Sequence, residues 1–297
     1  MTKTANLAQL ASVEAEADSA TPFETSFGYQ AGQSTTGANN SFFGYQAGYL
    51  NSTGSQNSAF GFQALQVNTT GQYNTAVGSI ALQLNQTGLS NSAFGYYALA
   101  TNTISNWNSA FGYLALASSA SDNNSAFGNL ALGGLSTGNQ NTAIGSLAGS
   151  ALATGSGNII VGYGAQASSS SVSNEITLGN SVITTLRCAT TTITSISDER
   201  DKKNIIDLPA GLNFINAVRP VAFDWNARDE SKIDIPDTGF LAQNLQQVQA
   251  QLGVTIPGLV YDTNPEKLEA GYSKLLPVLV KAIQELSARV EALEAAA

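Results

Sequence analysis

One glycine returns along this chain at a nearly fixed period. It stands at Gly28, Gly44, Gly61, Gly78, Gly95, Gly112, Gly128, Gly145, Gly162 and Gly179, at intervals of 16, 17, 17, 17, 17, 16, 17, 17 and 17 residues. Such a recurrence marks an array of equivalent units. Each unit is too small to bury an apolar face alone and must stack on its neighbours.

The unit reads Asn-Ser-Ala-Phe-Gly-x-x-Ala-Leu. The residue before the glycine is always apolar: Phe27, Phe43, Phe60, Val77, Phe94, Phe111, Phe127, Ile144, Val161 and Leu178. Alanine follows three residues after it, from Ala31 to Ala165, and asparagine precedes it by four, from Asn40 to Asn158. Turn-formers such as Asn51-Ser52-Thr53-Gly54 and Ser136-Thr137-Gly138-Asn139 lie between units.

Seventeen extended residues would span roughly 56 Å, so a coil that returns to its own position must fold back. The expectation is a mainly β solenoid, each coil holding about two short strands and two turns. Coils stacked at roughly 4.8 Å give a shaft on the order of 48 Å for ten. The Phe/Val/Ile column is expected to form the core, and the asparagine column an amide ladder. A coil so poor in large side chains has a small core, so association of copies is expected. A homotrimer is the usual arrangement for a fibrous shaft.

Charge divides the chain. Between Thr25 and Asn174 the only Asp, Glu, Lys or Arg is Asp122, whereas residues 197–297 carry 10 Lys+Arg and 15 Asp+Glu. The whole chain has a formal net charge of −9, which argues against nucleic acid as a partner. With no histidine and one cysteine, Cys188, triads that need histidine are excluded, and no metal site or other cofactor is expected. Cys188 reads as a structural residue. No apolar stretch follows Lys3 as in a secretory signal, and no run reaches about 18 apolar residues. A soluble chain without membrane insertion is expected.

Beyond residue 196 the character changes. Ser197-Asp198-Glu199-Arg200-Asp201-Lys202-Lys203 reads at face value as a helix start, with acids first and bases later. Gly239-Phe240-Leu241-Ala242-Gln243 opens an amphipathic stretch with Leu245, Val248 and Leu252 inward. In the last helix Leu276, Leu279, Ile283, Leu286, Val290 and Leu293 are spaced as the seam of a coiled coil. Pro277 fits only within its first turn.

The array resembles the head repeats of trimeric autotransporter adhesins and the β-roll repeats of phage and giant-virus fibres. Residues 197–297 resemble the intramolecular chaperone domain of phage tail fibres and endosialidase tailspikes, the S74 peptidase family. Ser197, Asp198, Arg200 and Lys202 match its Ser-Asp-x-Arg-x-Lys motif, and the Gly-Phe-x-Ala-Gln run and terminal heptads match as well. This resemblance implies an α+β domain ending in a coiled-coil helix. It also implies self-cleavage between Ile196 and Ser197, with Ser197 as nucleophile and Lys202 as its base. Asp198 and Arg200 would support them, and Lys203 ranks behind Lys202. Lys202 would act within the chain or across a subunit interface. At most, then, the chain is an autoprotease with a Ser-Lys dyad.

The expected order is a leader for virion attachment (1–24), the repeat shaft (25–180), a β-rich bridge (181–196) and the chaperone domain (197–297). The implied function is a trimeric virion tail fibre, made in the host cytoplasm, that adsorbs to the host. Its partners would be tail or baseplate proteins and a surface glycan or protein receptor. A polysaccharide-degrading tailspike and a cell-surface or giant-virus adhesin are the alternatives. Tyr29, Tyr45, Phe62, Tyr96, Tyr113 and Tyr163, each next to the repeat glycine, suit either a subunit interface or a sugar-stacking platform. Trp107, in the turn Ser105-Asn106-Trp107-Asn108, is the candidate glycan contact. Asn51-Ser52-Thr53 matches a glycosylation acceptor.

Overall fold

The computed structural model describes residues 24–183, 185–187, 197–228, 230 and 232–297. The chain divides into two units, Met1–Asn180 and Ser181–Ala297. The leader up to residue 23, Cys188 and most of the expected bridge fall outside the described residues. The described residues of that bridge form no strand.

The first unit is a parallel β-solenoid. Ten three-residue strands, from β1 (Thr25–Phe27) to β10 (Ile176–Leu178), pair in chain order in one sheet. The register is strict: Ser58 faces Thr75, Ala59 faces Ala76 and Phe60 faces Val77. Each coil holds one strand, where two were expected. The rest of each coil is a chain of tight turns, because up to three non-glycine positions per coil adopt positive φ, as at Gln63, Leu65 and Tyr73. Those turns still bond to the neighbouring coils through the backbone, as in Gln63 N–H to Tyr45 O of the coil before at 2.8 Å.

The expected core is inverted. The strand alternates, so its central residue faces inward and the residue before the glycine faces out. Ala59, Ala76, Ala93, Ala110, Ala126 and Ala143 are fully buried, as are Leu65, Leu82, Leu99, Leu116 and Leu132 across the coil. The Phe column lies on the outside, partly or wholly exposed, with Phe27 at 54%. Its rings stack along the axis: Phe94 and Phe111 have centroids 4.6 Å apart, and Phe111 and Phe127 5.0 Å. The interior of a coil this short has room only for alanine and one leucine.

The exceptions keep the interior volume constant. Phe42 takes the central strand position, and Gly48 stands where the next five coils place leucine. A methyl group on Gly48 would lie 2.5 Å from the Phe42 ring. At the other end Ile160 is matched by Gly149, whose Cβ would lie 2.9 Å from Ile160 Cδ1. The repeat glycine itself is needed for close approach. Gly61 has φ +144°, and a Cβ there would lie 2.5 Å from the Gly78 carbonyl oxygen of the next coil.

Two buried amide ladders run beside the apolar core. In the first, Asn57 Oδ1 accepts from the backbone N–H of Asn74 at 3.0 Å, while Asn74 Nδ2 donates to Gly88 O at 2.8 Å. The pattern continues through Asn158. The second comprises Asn51, Asn68, Asn85 and Asn102; the last three each donate Nδ2 to the Oδ1 of the coil before, as from Asn85 to Asn68 at 2.8 Å, and Asn51 Nδ2 donates to Thr35 Oγ1. At each end of the array a glutamate, Glu24 or Glu175, replaces the asparagine of the first ladder. Its Oε1 accepts a hydroxyl two residues on, from Ser26 at 2.8 Å and from Thr177 at 2.9 Å.

The second ladder stops at one place. The interval from Gly112 to Gly128 is one residue short, and Ser119 stands where the next asparagine would be. Asn102 Oδ1 and Asn108 Nδ2 are buried there without a partner among the described residues.

The second unit is α+β. Its helices are α1 (Leu212–Ala217), α2 (Ala242–Leu252) and α3 (Leu275–Ala295). Strands β11 (Pro220–Asn226) and β12 (Ile233–Phe240) form an antiparallel hairpin, and β13 (Val260–Tyr261) pairs with β14 (Glu269–Ala270). Phe214, Leu245, Val248, Leu259, Leu275 and Val278 make the core. Leu252, expected inward, is exposed, because α2 ends on it before the left-handed Gly253. Glu285 of α3 accepts the Leu212 N–H at 2.8 Å and so caps α1, with Gly211 leaving room for its carboxylate. Pro277 lies in the first turn of α3. No helix among the described residues is long and apolar enough to cross a membrane.

Volume matching in the shaft gives a test. Phe42→Ala is expected to cost about 3–5 kcal/mol, and Gly48→Leu about 1–3 kcal/mol by overpacking. The double variant recreates the alanine–leucine pairing of the neighbouring coils and should recover most of the combined loss in thermal midpoint, followed by circular dichroism. Simple addition of the two losses would show that the positions do not share one space.

Candidate functional site

The residues around Ser197 are ordered by one short turn. A 3₁₀ turn spans Glu199–Asp201, and Asp198 caps it by accepting the Arg200 N–H at 2.9 Å. Its last bond, Lys202 N–H to Glu199 O at 3.0 Å, turns the chain back on itself. The five-residue separation of Ser197 and Lys202 is thereby closed. Lys202 Nζ donates to Ser197 Oγ at 2.7 Å and to the Ser197 carbonyl oxygen at 3.1 Å. Both residues are exposed in the single chain.

Arg200 turns to Asp198, with Nη2 at 2.6 Å from Oδ2 and Nε at 3.0 Å from Oδ1. The guanidinium and then the Arg200 backbone N–H hold the Asp198 carboxyl below its usual range, and Asp198 in turn raises Arg200. The charge of Arg200 is thus spent on Asp198, and Arg200 makes no hydrogen bond to Lys202. Lys203 makes no hydrogen bond or ion pair among the described residues. Ile196, on the other side of the expected cut, lies outside them. No group of three or more Cys, Asp or Glu able to hold a metal occurs among the described residues.

A hydroxyl nucleophile needs a base within hydrogen-bond reach, and 2.7 Å is such a reach. The same separation serves with the bond reversed, the uncharged amine accepting from the hydroxyl.

On the shaft, the aromatic positions fall into two kinds. Tyr29, Tyr45 and Phe62 stack at 5.4 and 5.3 Å, and Tyr96 and Tyr113 at 5.4 Å. In these stacks each ring face is turned to the next ring, so mainly edges meet solvent. With the outer Phe column they form an exposed apolar band, interrupted in their own column by Ser79, Asn129 and Ser146. Trp107 is different: it is 57% exposed, makes no ring contact, and sits at φ +55°. Tyr73, which the sequence reading passed over, shares these traits at 55% exposure and φ +61°. Counting five residues back from each glycine places both in one column. Asn51 of the acceptor triplet is fully buried, its Nδ2 bonded to Thr35 Oγ1 at 2.7 Å, so it is closed to glycosylation.

The α3 seam also lies open. Leu276, Leu279, Ile283, Leu286, Val290 and Leu293 are all exposed, while Leu275, Val278 and Ala282 on the adjacent face pack inward.

Residues 197–254 match the family model Peptidase_S74, described as chaperone of endosialidase, and the match begins at the serine that Lys202 contacts. No curated protein and no solved structure matches the chain. Behind a parallel β-solenoid the chain therefore carries a segment, 197–254, of the chaperone-of-endosialidase kind.

Proposed function

We propose that the chain is a fibre shaft that assembles as a homotrimer under the direction of its C-terminal domain and is then cut before Ser197. The observation that carries this reading is the 2.7 Å contact of Lys202 Nζ with Ser197 Oγ at the first residue of the family match. In the proposed reaction Lys202 takes the hydroxyl proton as Ser197 Oγ attacks the carbonyl carbon of Ile196. The peptide C–N bond breaks, the proton passes to the Ser197 nitrogen, and Ile196 is left as an ester on Ser197 Oγ. Water then hydrolyses the ester, releasing residues 1–196 with a free carboxylate and restoring the serine. Lysine acts as a base only with its proton removed, which burial favours. A second copy packed over this open pair would supply that burial.

Two exposed apolar surfaces support association. One is the outer aromatic band of the shaft, and the other is the heptad seam of α3. A band of this extent is uncommon on a monomer, and the spacing of the seam is that of helices wound around copies of themselves. The shaft is suited to a virion tail fibre that adsorbs to a host. Its sequence carries almost no charge, and its stacked coils need a correct start.

Intact mass of the freshly purified protein tests the cleavage. Wild type is expected to yield residues 1–196 and 197–297. Ser197→Ala and Lys202→Gln should stay whole, and Lys203→Gln should cut normally. Full-length wild type under all conditions would refute the dyad. Light scattering tests the assembly: the Ser197→Ala protein should be a trimer of the 30.7 kDa chain, and adding Ile283→Asp with Leu286→Asp should give monomer. A monomeric Ser197→Ala protein would refute the trimer.

A further inference from the structure

The turn five residues before each glycine forms a column along one edge of the shaft: Gln56, Tyr73, Ser90, Trp107 and Asn123 occupy it in successive coils. All five have φ between 53° and 62°, with Tyr73 at 61°, Ser90 at 56° and Trp107 at 55°. Asparagine and glycine tolerate this conformation, whereas bulky side chains rarely adopt it. Elsewhere the column obliges, with Asn39, Asn123, Gly157 and Asn174. Tyrosine and tryptophan gain no ring contact there, and both are more than half exposed. The other described positions of the column hold Asn, Gln, Ser or Gly, and these two hold aromatics. A bulky residue held in a disfavoured conformation without a structural return is the mark of a functional position.

A second irregularity coincides with the first. The turn that bears Trp107 lies between Asn102 and Asn108, whose Oδ1 and Nδ2 are the two buried polar atoms left without a partner. The next coil is the one shortened by a residue. It also supplies Asp122, which accepts the Asn106 N–H at 2.8 Å beside the indole. The array thus departs from its own pattern around this turn.

Tyr73 and Trp107 are two coils apart, about 9.6 Å at ~4.8 Å per coil. That matches the length of two sugar rings in an extended chain. The small Ser90 between them sets no ring against either, unlike the stacked rings of the other aromatic columns. Amides at Gln56 and Asn123 flank the pair and suit ring hydroxyls. From residue 25 to 174 there is no lysine or arginine to pair with an anionic polymer.

We infer that this column is a binding site for an uncharged linear polysaccharide lying along the shaft, with Tyr73 and Trp107 stacking on alternate sugar rings. The site rests on the adsorption role proposed above and names its receptor class. It binds without cutting, because glycoside hydrolysis generally takes two carboxylates and Asp122 is the only acid near.

Trp225→Phe leaves Trp107 as the sole tryptophan reporter in the full chain. Cello-, laminari-, manno- and chito-oligosaccharides of two to six units are titrated against its fluorescence, with hyaluronan hexasaccharide as the charged control. At least one uncharged series should bind, at least tenfold tighter from the trisaccharide upward than as the disaccharide, and hyaluronan should not. Trp107→Asn, a residue the column already uses, should lower hexasaccharide affinity at least tenfold by calorimetry with the thermal midpoint unchanged. Tyr73→Asn should remove the step between two and three units.

No binding by any uncharged hexasaccharide would overturn the inference. So would a Trp107→Asn protein whose oligomeric state changes while its binding does not, since the column would then be a contact between copies. A trimeric protein that cuts itself but binds no glycan overturns only this site. A monomeric uncut protein that binds overturns only the assembly reading.

Discussion

A buried amide whose partner lies in the next coil has no partner in a coil that stands alone. Every asparagine of the two ladders has at least one such bond to a neighbouring coil and is shut off from water, although those of the second ladder keep a second bond to a carbonyl three residues on in their own coil. An unpaired buried amide costs about 1–3 kcal/mol, whereas a paired one inside a low-dielectric core is reinforced by its neighbours along the row. One coil is therefore unstable and many together are stable. The difference grows with the number of coils already in place. The alanine–leucine interior adds to this, since the central alanines make their contacts mainly up and down the axis.

Such a fold is hard to begin and easy to begin wrongly. Adjacent coils are close copies, so a slip of one whole repeat still satisfies most amides and most of the interior. The faults appear only where coils differ, at Phe42 with Gly48, at Ile160 with Gly149 and at the shortened coil before Gly128. A separate module that brings chains together in one register would remove that ambiguity. The charged second unit has a conventional apolar core of its own and an open helical seam. On the proposed reading it folds first and then gathers partners, which the shaft cannot do from a single coil.

Much of this was legible in the sequence, and the one inversion is instructive. The period, the parallel stacking and the asparagine ladder follow from the glycine and asparagine columns alone. The apolar Phe/Val/Ile column before the glycine suggests the core, and the structure turns it outward. The better guide was alternation: Asn57 and Ala59 lie two apart and share the inward face, which sends Phe60 outward. The single strand per coil was hidden because positive φ at Leu65 or Leu82 leaves no mark in residue type. The pairing of Ser197 with Lys202 was legible only through the motif, because nothing in the bare spacing shows that the turn at Glu199 brings the amine back to the hydroxyl. Tyr73 was missed because the turn residues vary, and only the column position relates it to Trp107.

The glutamates at the two ends of the array have a consequence for size. An amide ladder is a growing edge, since each new asparagine offers the next the same oxygen and the same hydrogens. Glu24 and Glu175 break that recursion by presenting a carboxylate, which has no hydrogen to pass on and resists being stacked on its like. What separates the two is a whole number of interchangeable coils. The length of the shaft is thus a counted quantity, set by how many units the gene places between two stops. Duplication or loss of one interior unit would alter reach by about 4.8 Å and leave both ends chemically unchanged.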